Sequence, residues 1–184
     1  MPDELVYRLE AALRAKDPQG LAALENSDYV LSYSELGAPQ ELRIQPAPPS
    51  SWTLLYTAKI PGAKERWFLE SKSVWFPEHS GCDRVKFEPL ESRYKAYAAD
   101  DSFFQSVFTG HHLSESLLQF PEDDHVKASL QDGTLSLSRT LQIDPGAADR
   151  DAILLDAAEA MVRLAGHCFK SVQVARLSRG EVTG

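Results

Sequence analysis

The sequence predicts an α+β domain, in which an antiparallel sheet of about five to seven strands packs N-terminal and C-terminal helices on one face. Apolar residues recur at helical spacing near both ends of the chain and alternate in short runs through its middle third. The connections between those runs are too short for the helical crossovers that parallel strands need. The 184 residues suit one domain, so we expect a single domain over residues 1–175 and a flexible tail over residues 176–184.

The N-terminal segment predicts two helices. Leu5, Leu9 and Leu13 fall on one face of a helix over residues 3–16. An aspartate followed by a proline then begins a shorter helix over residues 19–25, since aspartate caps a helix and proline suits its first position.

The chain between residues 29 and 88 predicts an antiparallel meander. Its clearest strand covers residues 51–60, where apolar and polar side chains alternate. The other strand candidates in this part cover residues 29–33, 41–45, 66–70, 73–76 and 84–88. A proline-rich stretch at residues 46–50 interrupts them, and whether it separates two subdomains stays open at this stage.

Residues 91–120 return to helical spacing in three consecutive apolar stripes. The first stripe contains Tyr94 and Tyr97, the second lies around Phe104, and the third begins at Leu113. We therefore expect three short helices here.

An Asp-Gly pair at residues 132–133 predicts a β-hairpin with a two-residue type I′ turn. The resulting register pairs Leu130 with Leu135 and Ala128 with Leu137, so that all four side chains face the same side. Turn chemistry and the apolar pattern thus agree.

A long C-terminal helix is predicted from about residue 149 to about residue 172. Its apolar residues recur at spacings of three and four and include Cys168. Acidic residues near its start and Lys170 near its end suit the helix dipole.

The composition favours some partners over others. The formal net charge of −8 repels phosphate backbones, so no nucleic-acid partner is expected. Four basic residues lie close together in this acidic sequence and are interpreted as solvated side chains: Arg84, Lys86, Arg93 and Lys95.

We expect a cytoplasmic protein with reduced thiols, because the first residues lack the pattern of a secretory leader and only two cysteines are present. No run approaches the ~20 apolar residues of a membrane span; peripheral membrane proximity and the oligomeric state stay open.

No standard catalytic, cofactor or metal motif is present in the sequence, and we predict no such site. Two pairs of residues are possible zinc ligands: His79 with Cys82, and His167 with Cys168. Structural zinc takes four ligands. Adjacent helical residues point about 100° apart, so the second pair cannot easily hold one ion.

Aromatic and histidine side chains give the candidate ligand or partner surface, which comprises Trp52, Tyr56, Trp75, His111 and His112. Aromatics on a sheet can line an apolar pocket or stack against bases, although core packing is their ordinary role. His111, His112 and His125 lie near carboxylates in sequence, and a histidine beside a carboxylate can act as a general base. A polar helix start and a solvated acidic loop at residues 123–125 are the favoured interpretation.

Residues 83–141 contain, in order, a strand ending in Phe87-Glu88, the aromatic pair Tyr94 and Tyr97, a helix start at Thr109, and the Asp-Gly hairpin. In this order they resemble an uncharacterised family of bacterial proteins, many of which follow transmembrane helices. Members carry a proline where this chain has the glycine that follows Thr109. The resemblance implies a shared fold unit and a role near the inner membrane face, and it implies no activity.

Three functions remain open. The leading hypothesis is a non-catalytic protein-binding or regulatory module of the bacterial cytoplasm, since the fold signals are clear, site motifs are missing, and the acidic composition suits a basic partner. The alternatives are a small-molecule or lipid-binding domain with an aromatic-lined pocket, and an enzyme with a dispersed histidine and carboxylate site.

Overall fold

The strands of the protein form one antiparallel sheet. The structure is a computed structural model that describes residues 22–23, 29–47, 50–73, 79, 81–110, 112–144 and 147–180. Within those residues the sheet has nine strands: β1 (Ala22–Ala23), β2 (Tyr29–Glu35), β3 (Ala38–Ala47), β4 (Ser51–Lys59), β5 (Trp67–Ser71), β6 (Asp83–Val85), β7 (Tyr94–Ala98), β8 (His125–Gln131) and β9 (Thr134–Gln142). Their order across the sheet is β1-β2-β3-β4-β9-β8-β5-β7-β6.

The same described residues contain four helices: α1 (Glu88–Glu91), α2 (Asp101–Thr109), α3 (Leu113–Leu118) and α4 (Arg150–Ser178). The long helix α4 packs on β4 and β9, and it also contacts α2 and α3. The predicted α+β class and the C-terminal helix against the sheet are confirmed. The helix predicted over residues 3–16 lies outside the described residues.

The strand count exceeds the predicted five to seven, chiefly because Tyr94–Ala98 forms β7 instead of a helix. Tyr94 and Tyr97 are spaced as on a helix face, but Tyr94, Ala96 and Ala98 are the buried residues. That alternation has the two-residue period of a strand. Ala22 and Ala23, inside the second predicted helix, pair with β2.

The core lies between the sheet and the helices. Alternate residues of β3, β4, β8 and β9 point into it, as the burial pattern of each strand records. Trp67 is fully buried there and meets Phe104 and Phe108 edge-on, at ring-centroid distances of 6.0 and 5.1 Å. The opposite side of the sheet carries hydroxyl groups, and the Oγ1 atoms of Thr53 and Thr140 lie 3.0 Å apart.

The predicted hairpin is confirmed in position and register. Leu130 pairs with Leu135, and Ala128 pairs with Leu137. Both turn residues have positive φ, 50° at Asp132 and 69° at Gly133, as a type I′ turn requires.

The structure also shows the course of the chain at residues 46–50 and at the end of the last helix. β3 pairs along its length with β4, so the stretch at residues 46–50 joins two neighbouring strands of one sheet. At the other end, α4 continues to Ser178, beyond the expected start of a tail at residue 176. Arg176 is only 3 % exposed because its guanidinium binds Glu65 in the β4–β5 connection.

Candidate functional site

A groove of about 640 Å³ runs between α3 and α4 across the end of β9; we call it the α3–α4 groove. Its apolar lining consists of Phe120, Pro121, Leu141, Ile153, Ala157, Ala160 and Leu164. Its polar and charged lining consists of Ser116, Gln119, Arg139, Asp156, Glu159, Arg163 and His167.

The α4 wall of this groove follows from helical spacing. Ile153, Ala157, Ala160 and Leu164 recur every three or four residues and therefore share one face. Ala157 and Leu164 are buried, whereas Ile153 and Ala160 are only partly buried. The helix thus leaves part of its apolar stripe open along the groove.

A buried ion pair lies at the floor of the groove. The Nε–H of Arg139 donates to Oδ2 of Asp124 across 2.6 Å, and the guanidinium lies 4.3 Å from the centroid of the Phe120 ring. Ser71 holds the strand that follows Asp124, since its Oγ accepts from the backbone N–H of Val126 at 2.9 Å. Because Asp124 neutralises Arg139, this pair leaves no uncompensated charge at the floor.

A second concavity, of about 550 Å³, is lined mostly by charged residues; we call it the arginine cleft. Its charged lining consists of Lys64, Glu65, Arg66, Asp100, Arg176 and Arg179. Arg176 donates through Nε to Oε1 of Glu65 at 3.2 Å, and Arg179 donates through Nη1 to Oδ2 of Asp100 at 2.6 Å.

Asp100 also caps helix α2. Its Oδ1 accepts the backbone N–H of Phe103 at 3.0 Å. The hydrogen bond from Arg179, followed by those from Phe103 and Ser102, holds the pKa of Asp100 well below its usual range. The carboxylate therefore stays ionised and joins the start of α2 to the end of α4.

A smaller pocket of about 390 Å³ opens beside Tyr33, Gln40 and Ala58. Gln40 is 3 % exposed, and its Oε1 accepts the hydroxyl of Tyr56 at 2.9 Å. The Nε2 of Gln40 is buried without a hydrogen-bond partner among the described residues. Burial raises the pKa of Tyr56 and of Tyr33, so both remain neutral phenols.

Comparison with known proteins gives no family for this chain. No protein-family model and no curated protein matches it. The crystal structure of the mycobacterial trehalose monomycolate transport factor A, TtfA, is similar over 87 % of this chain and 95 % of that chain, with 8 % identity and a TM-score of 0.45. A likeness of that extent supports no conclusion about function. Within the described residues, no helix is both long and apolar enough to cross a membrane.

The predicted ligand or partner residues occupy different places. Tyr56 is fully buried, which removes it from any surface, and Trp52 is partly buried against the margin of the core. His112 is exposed at the start of α3 and lies 3.0 Å from Glu115. Trp75 and His111 lie outside the described residues. His125, which was considered with His111 and His112 as a candidate general base, is exposed. Its Nδ1 lies 3.0 Å from Oγ of Ser73.

The histidine and cysteine pairs have separate partners as well. Nε2 of His79 lies 2.6 Å from Oε1 of Glu70, and its ring stacks on Phe68 at a centroid distance of 3.9 Å. His167 is exposed while Cys168 is buried, so the two point apart as helical geometry requires. No group of three or more potential metal ligands lies together in the described part of the chain.

The burial of Asp124 was not predicted from the sequence. A signal was available in β9. Leu135, Leu137, Arg139 and Leu141 occupy alternate positions of that strand, so an arginine takes an inward place. Since a buried guanidinium needs an acidic partner, that position predicts a carboxylate nearby.

Proposed function

We propose that this chain is a non-catalytic protein-binding module, and that the α3–α4 groove takes an apolar segment of a partner protein. The observation that supports this most is the partly uncovered apolar stripe of α4 facing a floor whose one buried charge, on Arg139, is already neutralised. Covering such a stripe is favourable because it removes apolar surface from water.

The size of the groove suits side chains of a partner. A volume of about 640 Å³ lies within the range of roughly 300–1,000 Å³ that is usual for small-molecule pockets, which is also room for large side chains of a partner. Protein interfaces draw most of their affinity from a few large apolar or aromatic anchors seated in such depressions. We therefore expect the bound segment to insert one or two large apolar residues beside Ala160.

Charge indicates the flanks of that segment. The chain has a net charge of −8, and Asp156 lies along the groove, where the other carboxylate, Glu159, is paired with Arg163. A partner with lysine or arginine next to its apolar anchors gains complementary charge and a faster encounter.

The ionic groups of the groove favour binding over catalysis. Arg139 pairs with Asp124, and Arg163 pairs with Glu159. A catalytic site needs a nucleophile or base held in reach of a reacting atom by an orienting partner. The first pair instead joins β9 to the residue before β8, and the second lies within α4.

Selection of peptides from a displayed random library tests this function. Ala160→Arg places a long cation in the groove, and Val174→Arg places the same cation on an exposed part of α4. The two positions are 14 residues, or about 21 Å, apart on the helix. We expect the native protein and Val174→Arg to enrich the same apolar, basic sequences, and Ala160→Arg to lose them. The proposal is contradicted if the native protein enriches no sequence, or if Ala160→Arg enriches the same sequences as the native protein.

A second candidate function is small-molecule binding at the pocket beside Gln40. A buried amide nitrogen without a partner is unusual, since buried polar groups are nearly always hydrogen-bonded. A ligand oxygen in that pocket supplies the missing acceptor. A thermal-shift screen checks this, because a ligand of the native state raises Tm; the shift must disappear in Gln40→Met, which keeps the shape of the side chain.

A further inference from the structure

We propose that the arginine cleft is a binding site for a small molecule that carries a phosphate group. Three segments build it: the β4–β5 connection with Lys64 and Arg66, the start of α2 with Asp100, and the end of α4 with Arg176 and Arg179. The site is separate from the α3–α4 groove, with which it shares no lining residue.

The cleft concentrates positive charge on an acidic protein. Four cationic side chains and two carboxylates line it, a local excess of two positive charges in a chain of net charge −8. Glu65 binds Arg176 and Asp100 binds Arg179. The two carboxylates are therefore engaged by the α4 arginines, and the excess charge lies with Lys64 and Arg66.

Arg66 is the side chain that points to a ligand. Its Nε is buried and has no hydrogen-bond partner among the described residues. Its Nη1 lies 3.5 Å from the position that a Cβ on Gly81 would occupy, which is an ordinary van der Waals distance. Residue 81 therefore does not crowd the guanidinium. A buried donor without an acceptor is the kind of group that a bound oxygen satisfies.

The chemistry of the cleft selects a phosphate. A guanidinium presents a planar fork of N–H donors that matches two oxygens of one phosphate group. A phosphate monoester carries a charge of about −1.5 to −2 at neutral pH, which offsets the excess of two positive charges. The volume of about 550 Å³ exceeds what one inorganic phosphate needs and suits a small organic phosphate.

Titration calorimetry at low ionic strength tests the site with two probes, inorganic phosphate and glycerol 3-phosphate. The variants are Arg66→Gln, Lys64→Gln, and the control Arg43→Gln, which removes an arginine of β3 that lines neither the cleft nor the α3–α4 groove. We expect saturable binding of at least one probe. Arg66→Gln should weaken it about tenfold or more, as loss of a charge-assisted contact does, while Lys64→Gln weakens it severalfold and Arg43→Gln changes it less than twofold.

The two probes distinguish the sources of the phosphate. Tighter binding of glycerol 3-phosphate assigns the site to an organic monoester, and tighter binding of inorganic phosphate assigns it to the free ion. Absence of saturable binding by both probes overturns the proposal, as does equal weakening by Arg43→Gln. If Arg66→Gln does not melt cooperatively, Lys64→Gln decides, and unchanged binding in that exposed variant overturns the site.

Discussion

Arg139 and Asp124 form an ion pair of 2.6 Å at the floor of the α3–α4 groove, with both side chains less than a tenth exposed. The pair joins the inward face of β9 to the residue that precedes β8, and the ring of Phe120 covers the guanidinium. It sets the shape of the groove by holding the chain after α3 against the sheet.

Removal of one member of this pair should destabilise the protein strongly. Asp124→Ala leaves the Arg139 charge buried and unpaired, and we expect the free energy of unfolding to fall by about 3–5 kcal/mol. The double variant Asp124→Leu with Arg139→Met should lose less, because no buried charge remains. Urea unfolding of Asp124→Leu, Arg139→Met and the double variant measures this coupling. A loss below about 1 kcal/mol in Asp124→Ala would show that water replaces the partner.

Gly133→Ala should weaken the β8–β9 hairpin by more than Gly37→Ala weakens the β2–β3 turn. Both glycines have positive φ, 69° and 78°, so both variants meet the left-handed penalty of about 1–2 kcal/mol. A Cβ on Gly133 also comes within 3.2 Å of the Ile60 carbonyl oxygen, whereas one on Gly37 has nothing within 4 Å. Thermal unfolding of the two variants compares them, and equal losses would mean that the Ile60 loop moves freely away.

Asp100 should make stability depend on pH in the acid range. Its pKa is lowered in the folded protein, so its contribution is fully present above the unfolded aspartate pKa of about 3.9. The contribution declines below that value and is lost as the pH falls through the lowered pKa. Asp100→Ala should cost about 1 kcal/mol at pH 7 through the lost α2 cap, and its deficit relative to the native protein should shrink between pH 4 and pH 2. Unfolding curves across that range check it; a constant deficit contradicts the ion pair with Arg179.

The two thiols should react at very different rates. Cys82 is partly exposed, and burial still raises its pKa, so it should react slowly with a disulfide reagent at pH 8. Cys168 is 2 % exposed, and burial raises its pKa to about 12. We expect one reactive thiol per native chain, none in Cys82→Ser, and a second only in denaturant. Rapid labelling of native Cys82→Ser would show that α4 opens.

The sequence predicted the elements whose signals are local. The Asp-Gly turn and the alternation beside it determine the β8–β9 hairpin, and the stripe through Cys168 determines most of α4. The segment containing Tyr94 was misassigned because its apolar spacing fits both periods, and pairing with β5 and β6 decides in favour of a strand.

The candidate sites could not be predicted in the same way, because they join distant parts of the chain. Arg176 meets Glu65 from 111 residues away, and Arg179 meets Asp100 from 79 residues away. Single-sequence patterns do not encode such contacts. The resemblance of residues 83–141 to an uncharacterised bacterial family and the cytoplasmic location remain predictions.

Binding at the α3–α4 groove is the central claim, and a comparison of dissociation constants tests it most directly. The most enriched displayed peptide is synthesised and titrated into the native protein, Ala160→Arg and Val174→Arg, each first shown to melt cooperatively. The groove predicts at least about a tenfold loss of affinity, or 1.4 kcal/mol, for Ala160→Arg and less than a twofold change for Val174→Arg. Equal dissociation constants in all three proteins would place the binding surface elsewhere.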